Sequence, residues 1–144
     1  MAVMTMAAVY CEAQTILHNA LSTNDINEAI KTLENDDYTF APDGKYAWNG
    51  CKIGEVDIRI DMRMNGKIKE AEAYIKGDAA DLLQMYEDMN TDIVRGESED
   101  GDETWSIEEI DYSVVIVRMK DETIWIYTPK DLNGGGGIMN FFKR

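Results

Sequence analysis

Residues Glu55 to Lys76, EVDIRIDMRMNGKIKEAEAYIK, decide how this chain folds. From Glu55 to Met64 polar and apolar residues alternate without a break, so Val56, Ile58, Ile60, Met62 and Met64 share one face of an extended strand. Asn65-Gly66 follows, the preferred pair for a two-residue type I′ turn, and a second strand-like run comes next. A two-residue loop sets Met64 opposite Lys67. Ile60 then faces Ala71, Ile58 faces Ala73 and Val56 faces Ile75, all on the buried side. On the other side Arg59 meets Glu72, a favourable pair, and Asp61 meets Glu70, an unfavourable one. The segment reads as an antiparallel hairpin with one apolar face to cover.

The cover is expected upstream. Val9, Ala13, Ile16, Leu17, Ala20 and Leu21 recur at helical spacing, and the apolar start from Met1 to Val9 reads as the first turns of the same helix rather than a secretory signal. Ser22-Thr23-Asn24-Asp25 breaks the pattern. Asp25 followed by Glu28 then starts a second helix with Ile26, Ala29, Ile30 and Leu33 as its stripe. The two make an N-terminal helical hairpin, closed by Asn35-Asp36-Asp37. Pro42-Asp43-Gly44 is a turn sequence, flanked by short strands at Tyr38 to Ala41 and Lys45 to Trp48.

Downstream, Asp78 is an N-cap for a helix striped by Leu82, Met85, Tyr86, Met89 and Ile93. Gly96 to Glu103 reads as an exposed acidic loop. Trp105 to Met119 reads as one strand with a two-sided apolar centre, and Thr123 to Thr128 as a last strand ended by Pro129. Trp125 and Tyr127 point to the opposite face from Ile124 and Ile126. The expected fold class is therefore α+β: the helical hairpin, an antiparallel sheet of four to six strands that includes the Asn65-Gly66 hairpin, and one acidic crossing helix. Residues 1–133 form a single domain. Residues 134–144 are a four-glycine tether ending in an apolar and basic tip, Ile138 to Arg144. No internal repeat is evident.

Charge is the strongest compositional fact. The chain carries 28 acidic and 14 basic residues among 144, a net charge of −14. Between Asp78 and Asp111 thirteen carboxylates stand against one base, Arg95. That balance argues against direct contact with a nucleic-acid backbone, which needs clustered Lys and Arg, and against an anionic membrane surface. Cys11 and Cys51 suit free thiols in a reducing, cytoplasmic compartment better than a disulfide framework.

Chemistry-bearing constellations are scarce, so no catalytic residue, metal site or cofactor is expected. The single His18 has Gln14 and Ser22 at its helical neighbours and reads as structural, and Cys11 is about 10 Å from it along the helix. Glu97 to Glu103 misses the EF-hand spacing, and Gly134 to Gly137 lacks the Lys and Ser/Thr of a phosphate loop. The leading functional expectation is a non-enzymatic, acidic protein-binding module. Its partner would present a basic, nucleic-acid-binding surface such as that of a nuclease, which the module would inhibit in the manner of a phage counter-defence or immunity protein. The contact residues are Asp81, Asp88, Asp92, Glu97, Glu99, Asp100, Asp102 and Glu103. The alternatives are a small carboxylate- or divalent-metal-dependent enzyme, and an assembly subunit that docks through its C-terminal tail.

Overall fold

A computed structural model describes residues 12–78 and 80–130. The expected first helical turns, Cys11 and the tether at 134–144 lie outside the described residues. Eight strands form one antiparallel sheet: β1 (Thr39–Pro42), β2 (Ala47–Lys52), β3 (Val56–Met62), β4 (Ile68–Lys76), β5 (Ile93–Glu97), β6 (Glu103–Glu108), β7 (Tyr112–Arg118) and β8 (Glu122–Pro129). Their spatial order is β1-β2-β3-β4-β8-β7-β6-β5. Three helices, α1 (Glu12–Leu21), α2 (Ile26–Glu34) and α3 (Ala80–Asp88), supply the cover. Leu17, Leu21, Ile30, Leu33, Leu82 and Tyr86 from the helices share one core with Ile58, Ile60, Ile107, Ile116 and Trp125 from the sheet. Helix α1 touches both other helices and lies over β4.

The expectation of four to six strands and an acidic crossing helix is corrected on both counts. The segment Trp105 to Met119 is two strands, split at Glu109–Asp111, where no glycine or proline marks the reversal. The helix thought to reach Ile93 stops at Asp88. Asn90 takes φ 61, ending it, and the β-branched Ile93 and Val94 open β5. The supposed acidic loop is the end of β5, a tight turn and the start of β6. The Ser98 amide bonds to the Asp102 carbonyl at 2.8 Å and Gly101 sits at φ 86.

The Glu55–Lys76 hairpin pairs Val56 with Ile75, Ile58 with Ala73 and Ile60 with Ala71. Its turn is not the expected type I′. Asn65 does not have positive φ. Instead the Gly66 amide bonds to the Arg63 carbonyl, Gly66 sits at φ 84, and Arg63 pairs with Lys67, which is a type I turn closed by a glycine bulge. That three-residue loop shifts the register by one, as Met62 opposite Ile68 records, and a bulge before Glu70 shifts it back. The core pairs therefore arise from two offsets that cancel.

The sheet also contains a repeat. Helix α2 with β1–β4 and helix α3 with β5–β8 have the same αββββ plan, and the strand order reads alike from either edge when one set replaces the other. Asp25 caps α2 and Asp78 bonds to the first amide of α3. Each helix ends on a left-handed residue, Asp37 or Asn90, and the following amide returns to the helix, Tyr38 to Leu33 at 3.1 Å and Thr91 to Tyr86 at 3.3 Å. The ladders then match row for row. Phe40–Gly50–Ile58–Ala73 corresponds to Ile93–Ile107–Val114–Tyr127. Pro42–Trp48–Ile60–Ala71 corresponds to Arg95–Trp105–Ile116–Trp125. Helix α1 stands outside the repeat.

Gly50 occupies the position of Ile107 because the Phe40 ring fills the space its Cβ would need. Substituting Gly50→Ala should cost roughly 1–3 kcal/mol by overpacking. Adding Phe40→Val should recover most of it, as measured by urea unfolding of the single and double variants.

Candidate functional site

The structure distributes the eight candidate carboxylates unevenly. Glu97, Glu99, Asp100, Asp102 and Glu103 all lie on the β5–β6 hairpin, and Asp92 lies just before it. Glu97 and Glu103 are direct cross-strand partners, so two like charges stand side by side. Asp81 and Asp88 sit elsewhere. They lie seven positions apart on α3 and share a flank with Gln84, whose amide bonds to Asp88 at 3.0 Å. The buried residues Leu82, Met85 and Tyr86 separate that flank from the one bearing Leu83 and Glu87. The eight residues therefore do not form one face. The hairpin is the coherent part.

Between α3 and β5 lies a cleft of about 620 Å³, lined by Leu83, Glu87, Asn90, Thr91, Ile93, Arg95 and Trp105. Reading only charge, the sequence missed it. Its origin is visible in the repeat. In the first unit the corresponding positions of Thr91 and Ile93 are Tyr38 and Phe40, whose rings stack 6.3 Å apart, and Tyr38 is only 2% exposed. In the second unit the Thr91 hydroxyl folds back to the Tyr86 carbonyl at 2.9 Å, and no large side chain among the described residues fills the space. Trp105 lies at the floor of the cleft. The Arg118 guanidinium stacks on its ring at 5.4 Å, with a buried Nε that has no partner among the described residues. Arg95 reaches Glu103 at 3.2 Å and Arg118 approaches it at 4.0 Å, so among the described residues Glu103 is the one candidate carboxylate of the hairpin in an ion pair.

Two further polar clusters lie outside the cleft. His18, 5% exposed, is held by α1 against rings from the second unit. Its Nδ1 lies 2.9 Å from the Tyr86 hydroxyl, and Tyr112 and Tyr127 meet it edge-on. The Trp125 indole donates to the same hydroxyl at 3.2 Å. An indole only donates, so Tyr86 accepts from Trp125, and with the imidazole proton on Nε2 the same hydroxyl donates to Nδ1. Burial lowers the His18 pKa, against a smaller opposing pull from Asp111, and burial raises that of Tyr86. On the far face of the first unit, Arg59 bridges Asp43 and Asp61, and its hydrogen bond holds the exposed Asp43 below the usual carboxylate range. That is the reverse of the shift a general acid needs. Trp125 and Tyr127 both face the core. Among the described residues no three His, Cys, Asp or Glu groups converge to hold a metal, and no helix is long and apolar enough to cross a membrane.

No protein-family model matches the chain, and neither a curated protein nor a solved structure is significantly similar to it.

Tyr86→Phe removes the hydroxyl that satisfies two buried groups and should destabilise the fold by about 1–3 kcal/mol in denaturant titration. The depressed His18 pKa also has a sign. The folded state resists a proton that the unfolded state accepts near the ordinary 6.5, so stability is full above that value and falls as pH drops below it. His18→Gln should flatten the fall of Tm as pH drops below about 6.5, and an unchanged slope would refute the assignment.

Proposed function

We propose that this chain is a non-enzymatic binding module whose second αββββ unit docks on a basic surface of another protein. The fitting surface is one that a nuclease or other nucleic-acid-binding protein reserves for its anionic ligand, and occupying it would inhibit the partner, as counter-defence and immunity proteins do. The observation that carries this reading is the difference between two units of one architecture. Residues 25–77 hold eleven carboxylates and eight cations, a net −3. Residues 78–130 hold fifteen carboxylates and four cations, a net −11. Charge kept merely for solubility has no reason to avoid one unit and crowd the other. Concentrated on an exposed edge hairpin, it steers a cationic partner and speeds association.

The contact set narrows accordingly to Glu97, Glu99, Asp100 and Asp102, with Glu103 neutralised in part by Arg95 and Arg118. Asp81 and Asp88 leave the set because α3 turns them away from the hairpin, and Asp92 leaves it because it precedes β5, at the far end of the strand from the turn.

The test compares the native protein with a variant carrying Glu97→Gln, Glu99→Gln, Asp100→Asn and Asp102→Asn. Immobilised on resin, the native chain should retain a basic protein that elutes as salt rises from about 50 to about 500 mM, over which screening shortens several-fold. The variant should lose it at low salt, and the eluted partner should cleave or bind nucleic acid less well when the native chain is added back. Equal retention by both proteins would overturn the reading.

A further inference from the structure

Among the described residues no strand pairs with the outer edge of β5, which faces the Trp105 cleft, and together they form a groove bounded by α3 on one side and that edge on the other. Which backbone groups of β5 are unpaired follows from the turn. Ser98 and Asp102 are a hydrogen-bonded pair at the end of the β5·β6 ladder. Bonded and non-bonded pairs alternate in an antiparallel ladder, so Gly96–Thr104 and Val94–Ser106 are bonded as well. The amides and carbonyls of Ile93, Arg95 and Glu97 consequently point away from β6, toward the open edge. The side chains of those same residues belong to the helix-side rows, where Ile93 and Arg95 line the cleft. Val94, on the opposite side, is 67% exposed.

The first unit has the same edge, and it is closed. There the Asp43–Ala47 pair ends the ladder, with the Asp43 amide on the Ala47 carbonyl at 2.8 Å, so Phe40 and Pro42 are the residues whose backbone faces outward. Pro42 corresponds to Arg95 and has no amide hydrogen to offer. Tyr38 and Phe40 fill the groove that Thr91 and Ile93 leave open. An edge strand that could pair with another chain is a liability that folds blunt with proline or cover with side chains. One unit does both, and its counterpart does neither.

We infer that the second unit binds an extended segment of its partner by strand addition to β5. The segment carries an apolar or aromatic side chain that enters the cleft against Trp105, Leu83 and Ile93, and basic residues that reach the acidic hairpin. Backbone bonds to Ile93, Arg95 and Glu97 supply affinity, and the cleft and charges supply selectivity. In an antiparallel addition the peptide's N-terminal end lies beside Glu97, so the basic residues precede the apolar run. Glu87 on the α3 wall adds a further carboxylate along the groove. This inference rests on the reading of the second unit as the one that binds a basic partner, and specifies how it does so.

The probe is a synthetic peptide in which two arginines precede a run of β-branched residues around one phenylalanine. Its dissociation constant is followed by tryptophan fluorescence against the full chain. Arg95→Pro should weaken binding by about tenfold or more relative to Arg95→Ala, because both remove the cation and only proline removes the outward amide. The β5·β6 bonds are untouched by that change, and amide exchange at Val94 and Gly96 reports whether the ladder persists. Thr91→Tyr, which restores the filling seen in the first unit, should weaken binding similarly without touching the edge. Methylating alternate peptide nitrogens should abolish binding in one of the two possible phases and spare it in the other.

The outcomes separate the two claims. If neutralising the hairpin weakens binding while Arg95→Pro, Thr91→Tyr and N-methylation leave it unchanged, strand addition is wrong and the charge-based reading stands. If hairpin neutralisation has no effect, the charge-based reading fails first. A doubled mass in sedimentation that Arg95→Pro abolishes would mean that β5 pairs with a second copy of this chain, and would overturn the peptide assignment.

Discussion

The rest of the molecule depends on the seam between β4 and β8. There Ala71 stands beside Tyr127 and Ala73 beside Trp125, a small residue next to a large one at each core-facing step. All four are buried. The repeat makes the constraint plain, since the positions of the second unit that correspond to Ala71 and Ala73 are Trp125 and Tyr127 themselves. Large rings on both strands would collide beneath α1, and alanines on both would leave a void, each costly in a close-packed interior. The two units are thus alike in plan and complementary at their junction. Dividing small and large between them welds two four-stranded meanders into one eight-stranded sheet.

Helix α1 exploits the same asymmetry. It lies over β4 and touches both repeat helices. Its Leu17, Ala20 and Leu21 are fully buried, and His18 is steered into the ring cluster that Trp125 and Tyr127 create. The imidazole of His18 and the indole of Trp125, buried among three tyrosines, would be expensive if their polar atoms went unpaired. Tyr86 prevents that by accepting from Trp125 and sharing a hydrogen bond with Nδ1 of His18. Its counterpart in the first unit is Leu33, which has no such task and packs as an ordinary core residue. The polar cluster therefore serves the junction.

With the junction secured, the outer edges are free to differ. The first unit finishes its edge with Pro42, Tyr38 and Phe40 and balances its charges through pairs such as Lys52–Asp36 and Arg59–Asp61. The second leaves a cleft, a strand edge unpaired among the described residues and a net charge of −11 over its length, densest at the hairpin. The Glu97–Glu103 pair is locally unfavourable, and Arg95 and Arg118 only partly offset it. Electrostatics of this kind governs approach and orientation more than tightness, whereas a strand edge beside an aromatic floor provides what charge alone lacks.

What the sequence by itself determined is whatever a short stretch of backbone decides locally. The alternation from Glu55 to Met64, the caps at Asp25 and Asp78 and the stripe on α2 were all legible, because periodicity and capping act within a few residues. Short-range signals failed where the deciding partner was remote. Ile93 and Val94 were absorbed into a helical stripe, since only pairing with Ile107 and Ser106 marks them as strand. The break at Glu109–Asp111 carries no glycine or proline. The repeat was hidden for a different reason: equivalent positions are 53 residues apart at Phe40 and Ile93 but 57 at Trp48 and Trp105, and 54 at Ala71 and Trp125. No constant period exists to detect. The side chains at matching sites are often opposites, because a junction must interlock and cannot mirror itself. Tertiary structure alone decided that β4 meets β8, that α3 parts the acidic residues into two groups, and that the groove beside Trp105 stays open, since each depends on which distant side chains are present to fill the space.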